Sequence, residues 1–190
     1  TCMSCISSQT GAPDGSCEAI PFWTDPANEC LNDQVCNGGG SCVGCGGVPP
    51  ASGLSCPAAC TGGCSGGTCT IDCSQGLYAC DHDHISCPPG FACDVQCTGE
   101  RSCRSVTVEC PDDYRCELWC DPGVAGEEAC RDFRLNCSTT GACFVFCSSA
   151  EKVCESSDVE CGENSCEGIC EGIRKPDFHC NDSCHCPGCP

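Results

Sequence analysis

The residues best suited to metal chemistry sit in the C-terminal tail, where Cys180, Cys184, Cys186 and Cys189 surround His179 and His185. Thiolate and imidazole together suit a tetrahedral Zn²⁺ site. The same four cysteines can instead form two disulfides, and a chain this rich in cysteine favours that reading. Cys2-x-x-Cys5 and Cys42-x-x-Cys45 look like zinc half-sites, but the 36 residues between them far exceed zinc-ribbon spacing. As a redox pair, Cys42 and Cys45 lack the βαβ setting that makes such a motif reactive. Asp81-His82-Asp83-His84 offers carboxylates and imidazoles to a divalent ion. Read as alternating exposed positions on a strand, it needs no ion. Cys184-x-Cys186 is the only Cys-x-Cys pair, so neither a dense thiolate store nor a ferredoxin-type cluster site is present. Walker and His-Glu-x-x-His motifs are absent. The expectation is therefore a protein that is not an enzyme and has no cofactor or resident metal.

What must position these residues is a cysteine rhythm. It runs Cys80, Cys87, Cys93, Cys97; then Cys103, Cys110, Cys116, Cys120; then Cys130, Cys137, Cys143, Cys147; then Cys154, Cys161, Cys166, Cys170. In every unit seven positions separate the first cysteine from the second, and four separate the third from the fourth. A period of about two dozen residues is the mark of a solenoid or array. Residues 56–73 read as an imperfect first unit, with Cys56, Cys64, Cys69 and Cys73 in the four roles and Cys60 extra. Thirty-two cysteines in 190 residues is well above the roughly 8–10% that marks a disulfide scaffold. Few aromatic residues are available for an ordinary core, so crosslinks take over part of its work.

A finer period lies inside each unit. Between the third and fourth cysteines stands Ile71, Val95, Leu118 or Val145, with Gly168 the exception. Two positions before the second cysteine stands Ile85, Val108, Leu135 or Val159, and Val106 and Phe133 extend that face. Residues at i, i+2 and i+4 share one face of a strand, so each unit predicts two short strands separated by turns. The expected fold is all-β and disulfide-rich: a right-handed parallel β-solenoid of about five coils over 56–170. A loop-rich crosslinked cap at 1–55 and a second crosslinked cap at 171–190 flank it. Two disulfides within each coil, spanning the interior, are favoured, and rung-to-rung bonds are the alternative. The gaps between units, six, ten and seven positions long, should fall along one edge. On the outward side of the Cys-x-x-x-Cys strand, Trp119, Phe144, Phe146 and Ile169 should stack into an apolar strip, a candidate partner contact. A cap or the loop at 121–128 folding over the strip is the alternative.

In the first 55 residues, Cys2-x-x-Cys5, Gly11-x-x-Asp14-Gly15-x-Cys17, Asp25-Pro26-x-x-Glu29-Cys30 and Cys36-Asn37-Gly38-x-Gly40-x-Cys42 resemble a cysteine-rich module of large bacterial secreted proteins and surface lipoproteins. The units with Cys-x-x-x-Cys and apolar centres resemble the repeats that follow that module. The resemblance implies a secreted or surface location and brings no catalytic residues with it. Cysteine content independently points to an oxidising compartment. A formal charge of −19 with only eight Lys and Arg argues against a nucleic-acid partner, because a phosphate backbone needs a basic face. No apolar run approaches the roughly 20 residues of a membrane span. No export signal is visible, and one is expected to have been removed. Self-assembly into fibres, or contacts at a surface, is the expected mode of association.

Overall fold

The computed structural model describes residues 55–123 and 128–189, together with four short strands nearer the N-terminus. The chain forms two compact units, Thr1–Gly47 and Val48–Pro190. In the first, β1 (Met3–Ser4) pairs antiparallel with β2 (Glu18–Ala19), and β3 (Gln34–Cys36) pairs antiparallel with β4 (Cys42–Gly44). The crosslinks expected in the 1–55 cap lie outside the described residues.

The second unit is a β-solenoid of about five turns, with no helix among the described residues. One sheet stacks β6 (Thr68–Asp72), β8 (Ala92–Cys97), β10 (Cys116–Cys120), β12 (Cys143–Cys147) and β14 (Ser165–Cys170) in parallel. The other stacks β7 (His84–Ser86), β9 (Thr107–Glu109), β11 (Arg134–Asn136), β13 (Asp158–Glu160) and β15 (Asp177–His179). Third cysteines align in register, Cys69, Cys93, Cys116, Cys143 and Cys166, and so do the fourth. The inward columns are those expected: Ile71, Val95, Leu118 and Val145 face Ile85, Val108, Leu135 and Val159, all buried, with Val106 and Phe133 beside them. Gly168 breaks the pattern for a packing reason. A Cβ there would lie 2.8 Å from the Phe178 ring and 2.7 Å from Cys189 Sγ, so Phe178 of β15 fills the space that an aliphatic residue takes in other coils.

Every coil carries two cystines, but they sit at two corners, each closing a short turn, rather than spanning the interior as expected. The second cysteine bonds the third (Cys87–Cys93, Cys110–Cys116, Cys137–Cys143, Cys161–Cys166). The fourth bonds the first of the next unit (Cys73–Cys80, Cys97–Cys103, Cys120–Cys130, Cys147–Cys154). Each bond closes a short loop within one turn, and no bond joins register partners on neighbouring rungs among the described residues. The gaps of variable length share one corner, although residues 124–127 of the longest lie outside the described residues.

The start of the solenoid corrects the sequence reading. Gly66 and Gly67 both have positive φ, 57° and 85°, as a tight two-residue hairpin turn requires. They fold β5 (Gly63–Ser65) back antiparallel on β6, with Cys64 opposite Cys69. Cys64 therefore bonds Cys56, and Cys60, read as the extra cysteine, takes the second-position role by bonding Cys69. The tail also differs. β15 and β16 (His185–Gly188) each add a rung to one sheet, and Cys180–Cys186 repeats the second-to-third bond. Cys189 bonds Cys170. Eleven positions separate Cys147 from Asp158, but only seven separate their register partners Cys170 and Asp177. The last rung thus takes a shorter path.

A third wall closes each coil between the two sheets, and it is not a β-strand. Tyr78, Cys80 and His82 all have φ between 54° and 64°. The same left-handed values recur at Arg101, Cys103 and Ser105, at Glu128, Cys130 and Asp132, and at Lys152, Cys154 and Ser156, while the residues between them do not share them. Backbone hydrogen bonds run from rung to rung in both directions. His82 N–H donates to Arg104 O at 2.8 Å and Asp132 N–H to Glu155 O at 2.9 Å, while Cys130 N–H donates back to Ser102 O at 2.9 Å. The wall thereby satisfies its amides without strand geometry.

Candidate functional site

The outer face of the first sheet holds the candidate surface. Because β8, β10, β12 and β14 are parallel and in register, alternate residues form two outward columns. One runs Asp94, Glu117, Phe144, Glu167; the other runs Gln96, Trp119, Phe146, Ile169. The second column thus changes from amide to aromatic and aliphatic toward the C-terminal end, while carboxylates stand at both ends of the first. All four residues of the expected strip lie on this face. The Trp119 ring centroid is 5.0 Å from that of Phe146 and 5.8 Å from that of Phe144, within the range of favourable aromatic pairs. These three rings are half-buried, and Ile169, at the end of the column, is 51% exposed.

Polar neighbours fix the cluster. Trp119 Nε1 donates to Glu117 Oε2 at 3.1 Å, and Arg115 Nε approaches Glu117 Oε1 at 2.9 Å. The Arg115 guanidinium also lies 5.8 Å from the centroid of Phe144, in cation–π range. Burial pushes the Asp94 carboxyl above its ordinary value, against a hydrogen bond from Gln96 at 2.6 Å, and the negative charge of Glu117 adds to the rise. A surface built this way offers ring faces and acceptor oxygens, a combination suited to a partner with apolar and cationic groups.

Charge elsewhere is organised by the third wall, which the sequence reading does not anticipate. All eight Lys and Arg lie between positions 101 and 175. Glu128 holds Lys152 at 3.2 Å, Arg101 at 3.4 Å and Arg131 at 3.4 Å. Lys152 donates a hydrogen bond to Glu128 and, with the charges of Arg101 and Arg131, holds its carboxyl below the ordinary value against the cost of burial. Arg104 grips Asp81 through two bonds of 3.1 Å. Asp81 and His82 consequently belong to the wall, and only His84 of the Asp81–His84 motif enters a strand.

In the tail, Cys180, Cys186 and Cys189 are in the disulfides described above, and Cys184 is also disulfide-bonded. His179 Nε2 lies 3.3 Å from Asp158, and His185 Nε2 lies 3.8 Å from Glu167. The two imidazoles therefore face carboxylates on neighbouring rungs, with the adjacent sulfurs committed to cystine.

The fold and this face define a disulfide-stapled β-solenoid carrying an aromatic strip on one sheet. No protein-family model matches the chain, and no curated protein or solved structure is significantly similar to it. Extensive disulfide bonding fits an oxidising, extracellular environment, and among the described residues no helix is long and apolar enough to cross a membrane.

Proposed function

We propose that the protein is a secreted or cell-surface structural element without enzymatic activity, its solenoid serving as a rigid scaffold or fibre subunit. The observation that carries this reading is the pair of cystines in every coil. A crosslink stabilises by roughly 2–4 kcal/mol, mainly by restricting the unfolded chain, and such contributions do not simply add. Even a fraction of that total makes global unfolding rare enough to resist heat and proteases. The likeness of the first 55 residues to modules of bacterial secreted and surface proteins agrees with that location. The charge of −19 weighs against nucleic acid as the partner. Electron microscopy of natively purified protein tests the reading. Filaments of constant width support a fibre subunit, whereas isolated particles at all concentrations would remove that role.

The aromatic strip favours a second reading, an extracellular binding or adhesion module. Aromatic anchors dominate contact energies, at about 2 kcal/mol or more each. Replacing Trp119 and Phe146 together by Asp should weaken the contact, self-association included, at least ~30-fold while leaving the fold intact. The core beneath is made by Leu118, Val145 and the cystines, which neither substitution touches. Sedimentation equilibrium and retention on the native surface measure the effect. Unchanged association in the double variant would rule the strip out.

A further inference from the structure

Parallel stacking in register also brings cystines of neighbouring rungs into contact. Cys110 Sγ lies 3.8 Å from Cys143 Sγ, and Cys161 Sγ lies 3.8 Å from Cys186 Sγ. Neither pair is bonded; each sulfur has its own partner on its own rung. The sulfurs of Cys87, Cys93 and Cys116 lie within 4.8 Å of one another, and within a separate cluster so do those of Cys161, Cys166 and Cys186. A second-position cysteine of one coil therefore meets a third-position cysteine of the next. Accessibility changes sharply along this column. Cys180 and Cys186 are half-buried at the C-terminal end, whereas Cys161 is 5% exposed and Cys166 is 0% exposed.

We propose that Cys180–Cys186 is an exchange gate through which an external thiol reduces the buried Cys161–Cys166 cystine without touching it. The first step is attack of a low-molecular-weight thiolate on Cys180 Sγ. A mixed disulfide forms at Cys180, the Cys180–Cys186 bond breaks, and the electron pair leaves on Cys186 as a thiolate. That thiolate already lies in contact with Cys161 Sγ. In the second step the Cys186 side chain, freed from Cys180, turns into line with the Cys161–Cys166 bond, attacks Cys161 Sγ, forms Cys161–Cys186, and releases Cys166 as a thiolate that takes a proton from solvent. One external thiol is consumed, one buried thiol appears, and no other oxidant or reductant takes part. Thiol–disulfide exchange follows such mixed-disulfide steps, and the 3.8 Å contact makes the second step intramolecular. The product is a rung-to-rung bond, so the column stays crosslinked as the reducing equivalent moves inward. The proposal rests on the cystine column alone and holds whether the protein is a fibre subunit or a binding module.

The test uses the whole chain, one equivalent of glutathione at mildly alkaline pH, a quench with N-ethylmaleimide, and peptic digestion at low pH followed by mass spectrometry. The expected products are a Cys161–Cys186 crosslinked peptide, glutathione on Cys180 and maleimide on Cys166. Modification confined to Cys180 and Cys186, with Cys161–Cys166 intact, overturns the proposal. So does labelling of Cys161 and Cys166 without the crosslink. In a variant with Cys180→Ser and Cys186→Ser, the Cys166 label should be lost; a label equal to that of the natural chain would mean that glutathione reaches the buried cystine directly.

Discussion

Replacing Ser156 by Gly should stabilise this protein, against the usual effect of introducing glycine. Twelve non-glycine residues of the third wall have left-handed φ, a conformation that costs roughly 1–2 kcal/mol each for a residue with a Cβ. Summed, that is ~12–24 kcal/mol, comparable with or larger than the net stability of ~5–15 kcal/mol of an ordinary domain. The wall therefore persists only because rung-to-rung hydrogen bonds and the Cys80, Cys103, Cys130 and Cys154 cystines hold it. Ser156 has φ 56° and an exposed side chain. Glycine there removes about 1–2 kcal/mol of strain and gives back about 0.4–1 kcal/mol through a more flexible unfolded chain. The net gain is on the order of 0.5–1 kcal/mol, which for a chain of this size raises Tm by about 1–4 °C. Glu151→Gly, an exposed site without positive φ on the same segment, controls for the unfolded-state term and should lower Tm. Scanning calorimetry without reductant measures both. A Ser156→Gly protein that melts no higher than Glu151→Gly would show that the wall stores no such strain.

Further outcomes follow from the same stack. Glu128→Gln should destabilise by ~1.5–3 kcal/mol, the worth of charge-assisted hydrogen bonds, because three cations then lose their common carboxylate. Since folding lowers the Glu128 pKa, its stabilisation is fully present above the ordinary glutamate value near 4.5 and is lost as pH falls through the lower folded value. Thermal melts between pH 7 and pH 2 should show a shallower acid limb in Glu128→Gln, and identical limbs would refute the assignment. At Gly162 an added Cβ would collide with Ser138 O on the rung below. Gly162→Ala should therefore force two rungs apart at a cost of ~1–3 kcal/mol or more, read as a lower Tm; an unchanged Tm would mean that the rungs separate freely there.

How much of this was legible in the sequence depends on what kind of information each feature uses. Strands announce themselves through side chains: cysteine, aliphatic and cysteine at alternate positions mark the inward face of β8, β10 and β12 because a pleated strand has a period of two. The same period places Trp119 and Phe146 outward and on neighbouring rungs, so the strip is legible once the coils are stacked. The third wall follows a different rule. Its period of two lies in the sign of φ, and its residues, Tyr78, Arg101, Glu128 and Lys152 at one level and His82, Ser105, Asp132 and Ser156 at another, are all polar but share no size or charge, and polarity alone does not mark left-handed backbone. Left-handed backbone is usually marked by Gly, Asn or Asp, and only Asp132 among these is of that kind. The wall is imposed by the cysteine at its centre and by amides on the rungs above and below, so its conformation is a property of the stack. Cys64 illustrates the complementary error, because the hairpin signal Ser65-Gly66-Gly67-Thr68 was present and outweighs cysteine spacing. A repeat predicts which residues are equivalent; it does not predict where the chain reverses direction, and local turn chemistry decides that.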